Sequence, residues 1–224
     1  MPRKHVFKIR AVIFDMDGVI TNTMPDHYKA WHAALKEIGL DVTRLDIYSR
    51  EGQRGAESIR EILKEYGRDC SPGLARRFLA RKEEIFKKIS RQRFIPGSRA
   101  YVRALARQGF QLALVTGTSR HELHRILPES LYRLFSVTVT GTDVKNGKPH
   151  PEPFLKALRK LGIKKTQAVV IENAPFGIAA ARAAGLPCLA LETSLPKKHL
   201  KEADAVFHSF NHLKQNVNFM RMPN

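Results

Sequence analysis

Cysteine and long apolar runs are the features in which this chain of 224 residues is poorest. Its two cysteines, Cys70 and Cys188, lie far apart and form no C-x-x-C pattern, so we predict reduced thiols and neither a disulfide framework nor a zinc site. No apolar run approaches the roughly 18 residues that a membrane-spanning helix needs. The basic start of the chain turns apolar, but Lys8 and Arg10 interrupt that stretch and Asp15 ends it, which is not typical of a signal peptide. We therefore expect a cytoplasmic protein with no membrane partner.

Acidic residues are also scarce, because 21 Asp and Glu face 39 Lys and Arg, a formal net charge of +18. The basic residues are densest in residues 76–93, "RRFLARKEEIFKKISRQR", where the apolar residues fall on one face of a helix. We favour a packed helix whose basic face is solvated. A site for nucleic acid or another polyanion is the alternative, since a strong charge bears on partners and not on fold.

Strand patterns are missing from about Met24 to Arg93, where only helical patterns occur, near 25–38, 55–66 and 73–90. Elsewhere short apolar runs alternate with helical patterns, which predicts βα units and a parallel sheet covered on both faces. The predicted strands are 11–14, 110–115, 136–140, 168–171, 188–191 and 205–207, and the predicted helices are 98–108, 119–127, 151–161 and 174–184.

These patterns predict an α/β protein with a Rossmann-like parallel sheet core, helices on both faces and an inserted small α-helical cap domain. The predicted core comprises residues 1–22 and 94–224, and the predicted cap comprises residues 23–93. Pro25 and the pair Pro96-Gly97 mark the two hinges between them.

Polar and charged residues follow several of the predicted strands directly. The first strand ends in Asp15 and Asp17, the second in Thr116-Gly117-Thr118-Ser119 and the fourth in Glu172-Asn173, while Lys148 precedes a helix that begins with prolines. Each piece alone has an ordinary explanation, such as a helix cap or a turn with an N-cap at Ser119. Because ligands of open α/β sheets bind outside the carboxyl ends of the strands, four such pieces in order predict one functional rim.

These stretches resemble the four motifs of the haloacid dehalogenase-like superfamily of phosphohydrolases. The matching segments are "DMDGVI", "VTGTS", "GKPHPEPF" and "IENAPFGIAAARAAG", and the resemblance extends over essentially the whole chain, the helical insertion included. Within the superfamily, "HYKAW" beside the first motif makes the chain most similar to the β-phosphoglucomutase-like and phosphoglycolate-phosphatase-like branch.

The resemblance implies a role for each motif residue. Asp15 would be the nucleophile that forms an aspartyl phosphate, and Asp17 would be the general acid and base. Thr116 and the N–H groups after it, those of Gly117 and Thr118, would hold the phosphate. Lys148 would offset the excess negative charge.

The resemblance also implies Mg²⁺ as the cofactor. Its ligands would be the Asp15 carboxylate, the Asp17 main-chain carbonyl and the Glu172-Asn173 pair, oxygen donors of the kind that Mg²⁺ prefers. Many relatives have an acidic residue at the position of Asn173. Asn173 is therefore either a neutral oxygen ligand or only the cap of the helix that follows, a position that asparagine suits well.

The expected activity is hydrolysis of a small phosphorylated metabolite by a monomeric Mg²⁺-dependent phosphatase. Mutases of this branch hold a second phosphate with an arginine in a cap loop, and an ungapped placement puts Gly55 there, with Arg54 one position early. The motifs therefore favour a phosphatase over a sugar-phosphate mutase. A polyanion-binding protein on an inactive phosphatase scaffold is the third alternative, motivated by the charge of +18.

Three further residues near the motifs have two interpretations each. We expect Trp31 to pack in the core of the cap, and Arg120 to be solvated. His27 lies in the first helical turn after the first motif, where a role near the leaving group and a structural role remain equally open.

Overall fold

The computed structural model describes residues 4–223 and contains a six-stranded, entirely parallel sheet with the strand order β4-β3-β2-β5-β6-β7. A second, two-stranded parallel sheet pairs β1 with β8. The strands are β1 (His5–Ile9), β2 (Ala11–Phe14), β3 (Gln111–Val115), β4 (Val137–Val139), β5 (Ala168–Glu172), β6 (Cys188–Leu191), β7 (Ala205–Phe207) and β8 (Val217–Arg221).

Helices account for most of the remaining chain. They are α1 (Met24–Lys36), α2 (Arg44–Tyr48), α3 (Gly55–Glu65), α4 (Pro72–Ile89), α5 (Ser98–Arg107), α6 (Arg120–Ile126), α7 (Glu129–Tyr132), α8 (Glu152–Leu161), α9 (Pro175–Ala183) and α10 (Phe210–Asn216). In the part of the chain that the structure describes, no helix combines the length and apolarity needed to cross a membrane.

Both faces of the large sheet are buried, which explains why its strands are continuously apolar. In β2, Ala11 and Ile13 belong to one apolar core, whereas Val12 and Phe14 belong to the other. This alternation follows from the two-residue period of a strand, which directs successive side chains to opposite faces. The predicted α/β class, with helices on both faces of a parallel sheet, is therefore confirmed.

Four helices, α1 to α4, occupy the chain between β2 and α5, and α4 packs against both α1 and α3. Amphipathic sequences explain this packing, since Phe78 and Phe86 of α4 lie buried on one side and Arg76 and Lys87 are exposed on the other. We propose that these helices form the cap. The boundaries predicted from the sequence stay a prediction, and residues 1–3 and 224 of that division lie outside the described residues.

Several elements were not predicted from the sequence. Strands β1 and β8 are short, and residues such as Val6 and Met220 are exposed on them, so neither strand produces a continuous apolar run. The helices α2, α7 and α10 have at most seven residues, too few for a clear helical period. Helix α4 agrees with the helical pattern predicted near 73–90, but within the basic segment 76–93 Lys82 is buried instead of solvated.

Candidate active site

A fully buried lysine joins two of the predicted strand ends. The Nζ atom of Lys148 donates to Asp15 Oδ1 and to Glu172 Oε1, both at 2.6 Å, and to the main-chain oxygen of Val115 at 3.2 Å. Strands β2, β3 and β5 are neighbours, so their carboxyl ends deliver these three residues to one point. The rim predicted from the sequence thus exists as a set of direct contacts.

The charges of this group strongly affect one another. Burial raises the pKa of Asp15 well above its ordinary value, the carboxylates of Glu172 and Asp17 raise it further, and Lys148 only partly opposes the change. Burial disfavours the charged form of Lys148, but Asp15 and Glu172 outweigh burial and raise the pKa of Lys148. Two carboxylates thus share one ammonium group, which does not fully neutralise the negative charge of Asp15.

Asp17 accepts hydrogen bonds on both of its carboxylate oxygens. Thr23 donates to Oδ1 at 2.5 Å and the Nε2 atom of His27 lies 3.3 Å from the same oxygen, while Thr118 and Thr116 donate to Oδ2 at 2.8 and 3.3 Å. Burial raises the pKa of Asp17. The hydrogen bond and charge of His27, together with the hydroxyls of Thr23 and Thr118, outweigh burial and lower the pKa to about 2. Asp17 is therefore ionised in this arrangement.

The two interpretations of His27 can now be compared with its surroundings. Its ring stacks on Phe86 of α4, with centroids 4.2 Å apart and planes 13° apart, while its Nε2 atom faces Asp17. His27 thus connects the helical insertion to the first motif. Trp31 is buried in an apolar core, as predicted, and Arg120 is largely exposed and pairs with Asp143.

Asn173 does not cap the helix that follows it. The N-cap position of α9 is Ala174, and no side chain caps this helix, so the helix-cap interpretation is wrong. The Nδ2 atom of Asn173 donates to Ser194 at 2.9 Å, whereas its Oδ1 atom is buried and has no hydrogen-bond partner within residues 4–223. A buried oxygen without a partner is costly unless a ligand uses it.

Oxygen atoms available to a cation are present at the same point. Asp15 Oδ2, like Asn173 Oδ1, is buried without a partner among the described residues. Both oxygens of Glu172 are engaged, Oε1 by Lys148 and Oε2 by the N–H of Asn173 at 2.9 Å. Residues 4–223 hold no cluster of three or more His, Cys, Asp or Glu side chains arranged for a metal, so a site here would need Asn173 and main-chain oxygen. A hard cation such as Mg²⁺ fits this oxygen donor set.

The loop between α2 and α3 lies directly against the strand ends. A Cβ atom at Gly117 would meet the Gly52 main-chain oxygen at 2.6 Å, and one at Gly52, whose φ is +77°, would meet the Lys148 side chain at 2.5 Å. Only glycine permits such an approach. The Nη1 atom of Arg54 adds a hydrogen bond to the main-chain oxygen of Lys145 at 2.5 Å. The insertion therefore covers the carboxylates.

A cavity of about 240 Å³ lies between the insertion and the strand ends. Gly117, Thr118, His27 and Trp31 line it. It also contains polar residues that sequence reasoning missed: Glu51, Gln53, Ser58, Lys82, Glu83 and Glu122. The spacing of Lys82, four residues from both Phe78 and Phe86, could have placed it on the buried stripe of α4. Glu51 lies in an irregular loop, where periodicity gives no signal.

Lys82 occupies a cation–π environment inside this cavity. Its Nζ atom lies 4.7 Å from the ring centroid of Phe86 and 5.9 Å from that of Trp31. Its side chain is 5% exposed, and no carboxylate of the described residues lies within ion-pairing distance. This ammonium therefore faces the cavity as a cation that is free to contact an anionic or hydroxylated ligand.

The fold and this site combine buried carboxylates at the ends of parallel strands with a helical insertion above them, as in a hydrolase of the α/β class. A family model described as haloacid dehalogenase-like hydrolase matches residues 12–191. The chain therefore belongs to the haloacid dehalogenase-like hydrolases. This result confirms the resemblance seen in the motifs.

Individual relatives include phosphatases and a mutase. The chain is 32% identical over 183 residues to the phosphorylated carbohydrates phosphatase of Thermotoga maritima, covering 80% of this chain and 82% of the relative. It is 32% identical over 177 residues to the fructose-1-phosphate phosphatase YqaB of Escherichia coli, covering 78% and 92%. The solved structure of a β-phosphoglucomutase from Clostridium difficile matches with a TM-score of 0.79 and 25% identity, covering 93% and 96%.

Proposed function

We propose that this protein is a Mg²⁺-dependent phosphatase that hydrolyses the phosphate ester of a small metabolite, such as a sugar phosphate or phosphoglycolate, through an aspartyl phosphate. The observation that carries the proposal is the state of Asp15: one oxygen accepts from Lys148, and the other is buried without a partner. That second oxygen is available to attack phosphorus. The names of the relatives support phosphate monoesters as the substrate class.

The reaction would proceed in two displacements at phosphorus. Asp15 forms a bond to phosphorus while the bond to the leaving oxygen breaks, and water then attacks the aspartyl phosphate and releases inorganic phosphate. Lys148 would offset the negative charge that accumulates around Asp15. Thr116, Gly117 and Thr118 would bind the phosphoryl oxygens, which requires the two threonine hydroxyls to turn from Asp17 to the substrate.

Asp17 would transfer the protons. Its carboxylate is ionised at neutral pH, which is the form that a base toward the attacking water must have. Protonation of the leaving oxygen requires a proton on Asp17, and His27, 3.3 Å away, is positioned to supply one or to share it. His27 thus acts through Asp17 near the leaving group.

Asp15, Asn173 and the main-chain carbonyl of Asp17 would hold the Mg²⁺ ion. When bound, Mg²⁺ neutralises charge on the phosphate and on the nucleophile. Glu172, which the resemblance implied as a further ligand, already accepts hydrogen bonds on both oxygens. In this proposal it supports the site by holding Lys148 and the Asn173 main chain in place. The orphaned Oδ1 atom of Asn173 supports this assignment.

A sugar-phosphate mutase is the second candidate, favoured by the likeness to β-phosphoglucomutase. Against it, Gly55 offers no side chain, and the neighbouring Arg54 is directed to Lys145 and Glu57. We therefore expect hydrolysis when the enzyme is incubated with β-glucose 1-phosphate and a bisphosphate primer. Efficient formation of glucose 6-phosphate, with little inorganic phosphate, would favour the mutase.

A phosphatase screen tests the proposal directly. Purified protein would be incubated with Mg²⁺ and a panel of sugar phosphates, nucleotides, phosphoglycolate and pyrophosphate, with phosphate release as the readout. Asp15→Asn protein serves as the control for contaminating phosphatases. Release that the variant retains, or no release from any member of the panel, would contradict the proposed function.

A further inference from the structure

Glu51 is a buried acidic residue above the catalytic carboxylates that the proposed reaction does not use. It precedes Gly52 in the loop that covers the strand ends, and only 9% of its surface is exposed. The N–H of Gly52 donates to its Oε1 atom at 3.1 Å, which holds the carboxyl against its own loop. Since that loop contacts Lys148 and Gly117, Glu51 is confined to the space next to the reacting groups.

The surroundings of Glu51 are mainly anionic. Burial raises the pKa of Glu51 well above its ordinary value. The negative charges of Asp17 and Asp15 raise this pKa further, and the positive charge of Lys148 opposes them. Two more carboxyl groups, those of Glu83 and Glu122, line the same cavity. Burial and then Glu122 raise the pKa of Glu83, while Lys82 and His121 only partly oppose the change.

The arginines beside the cavity do not balance these carboxyls. Arg50 pairs with Glu61 and Glu65, and Arg54 pairs with Glu57 and the main chain of Lys145. Lys82, among residues 4–223, also lines the cavity and forms no close ion pair, although its charge acts on Glu83. A second anionic group on a substrate would therefore meet Glu51, Glu83 and Glu122 with a single lysine to compensate it.

We propose that Glu51 determines which leaving groups the site accepts, admitting neutral polyhydroxylated ones and excluding those that carry a second phosphate or a carboxylate. A carboxyl group can exchange a hydrogen bond with a sugar or polyol hydroxyl, whether it is charged or neutral. A second anion placed beside Glu51, Glu83 and Glu122 would instead meet carboxyl groups in a poorly hydrated space with little positive charge to compensate it. The cavity of about 240 Å³ suits a leaving group of this small size. This inference rests on the proposed phosphatase activity and narrows it to monophosphates of neutral sugars or polyols.

The test compares phosphate esters whose leaving groups differ in charge. Glucose 6-phosphate and 6-phosphogluconate have the same chain length, but the second carries a carboxylate; fructose 1,6-bisphosphate adds a second phosphate. For the wild type we expect kcat/KM to favour glucose 6-phosphate over both. In Glu51→Gln, which keeps the volume and an oxygen for the Gly52 N–H, this preference should fall by about tenfold or more, mainly through a lower KM for the anionic compounds.

Glu84→Gln is the matched control. Glu84 lies on the exposed side of α4 and pairs with Arg81 and Lys88, so this variant makes the same acid-to-amide change without touching the cavity. It should keep the wild-type ratio. A Glu51→Gln ratio equal to that of the wild type, or a wild-type preference for an anionic compound, would overturn this inference and leave the phosphatase activity standing. Absence of phosphate release from all three compounds and from the wider panel would refute the proposed function itself.

Discussion

Lys148 and Asp15, which are 133 residues apart in the sequence, form an ion pair at 2.6 Å with side chains that are 1% and 0% exposed. Glu172 shares the same ammonium at an equal distance. A buried ion pair contributes little net stability, because desolvation offsets the attraction, but breaking it leaves an uncompensated charge. The arrangement therefore makes the stability of the fold depend on Lys148.

Replacing Lys148 with Met should destabilise the protein strongly at neutral pH. The change leaves Asp15 and Glu172 buried side by side, which should lower the free energy of unfolding by about 3–5 kcal/mol at pH 7. The loss should be smaller at pH 4, because Asp15, whose pKa burial raises, takes up a proton there. Urea unfolding in a chelator at both pH values measures it. Lys88→Met, which removes an exposed ammonium paired with Glu84, should change stability by less than about 1 kcal/mol.

Asp15→Asn should abolish turnover and at the same time stabilise the metal-free protein. Loss of the nucleophile should lower kcat on the order of 10³-fold or more. Because folding raises the pKa of Asp15 above its unfolded value of 3.8, its contribution to stability is full below that value and is lost as the pH rises through the folded pKa. Thermal unfolding in a chelator should therefore show a higher Tm for the variant at pH 7 and a smaller difference below pH 4. A lower Tm at pH 7 would count against a strained, buried carboxylate.

Asn173 should set the affinity for Mg²⁺. Asn173→Asp adds a charged oxygen and should lower the Mg²⁺ concentration for half-maximal activity by about threefold to tenfold, while Asn173→Ala should raise it by a similar factor. The rate at saturating Mg²⁺ should fall less in either variant than in Asp15→Asn. Asn218→Asp, an amide-to-acid change on an exposed position of β8, is the control and should titrate like the wild type. Superimposable curves for all proteins would mean that Asn173 is not a ligand.

His27 should control the acidic limb of the pH–rate profile. Its hydrogen bond and charge are the largest influences that lower the pKa of Asp17, so His27→Ala should raise that pKa and shift the acidic limb of kcat/KM to higher pH. His27→Gln retains a hydrogen-bond donor, so the acidic limb should move less in this variant than in His27→Ala. His32→Gln removes a histidine that pairs with Asp41 outside the site, and its profile should match the wild type. A lower rate with an unmoved limb would assign His27 a purely structural role.

The alternation of helices and strands in the core was predictable from local sequence. Strand β6 and strand β7 were predicted at their observed residues, and β5 differs by one residue. These strands are buried on both faces, so each is a continuous apolar run. The pairing of β1 with β8 was not predictable, because the two segments are far apart in the chain, partly exposed and too weakly patterned to identify each other.

The site shows the same limit at the level of single atoms. The sequence by itself determined that Asp15, Asp17, Thr116 and Glu172 meet, because carboxyl ends of adjacent parallel strands share one edge of a sheet. Tertiary structure decided which oxygens accept hydrogen bonds. Both carboxylate oxygens of Glu172 and of Asp17 do, and so does one oxygen of Asp15, whereas Oδ1 of Asn173 does not. It also decided that Glu51 and Lys82 enter the cavity. Hydrogen bonding depends on distances and directions between residues remote in the chain, and no local pattern encodes those.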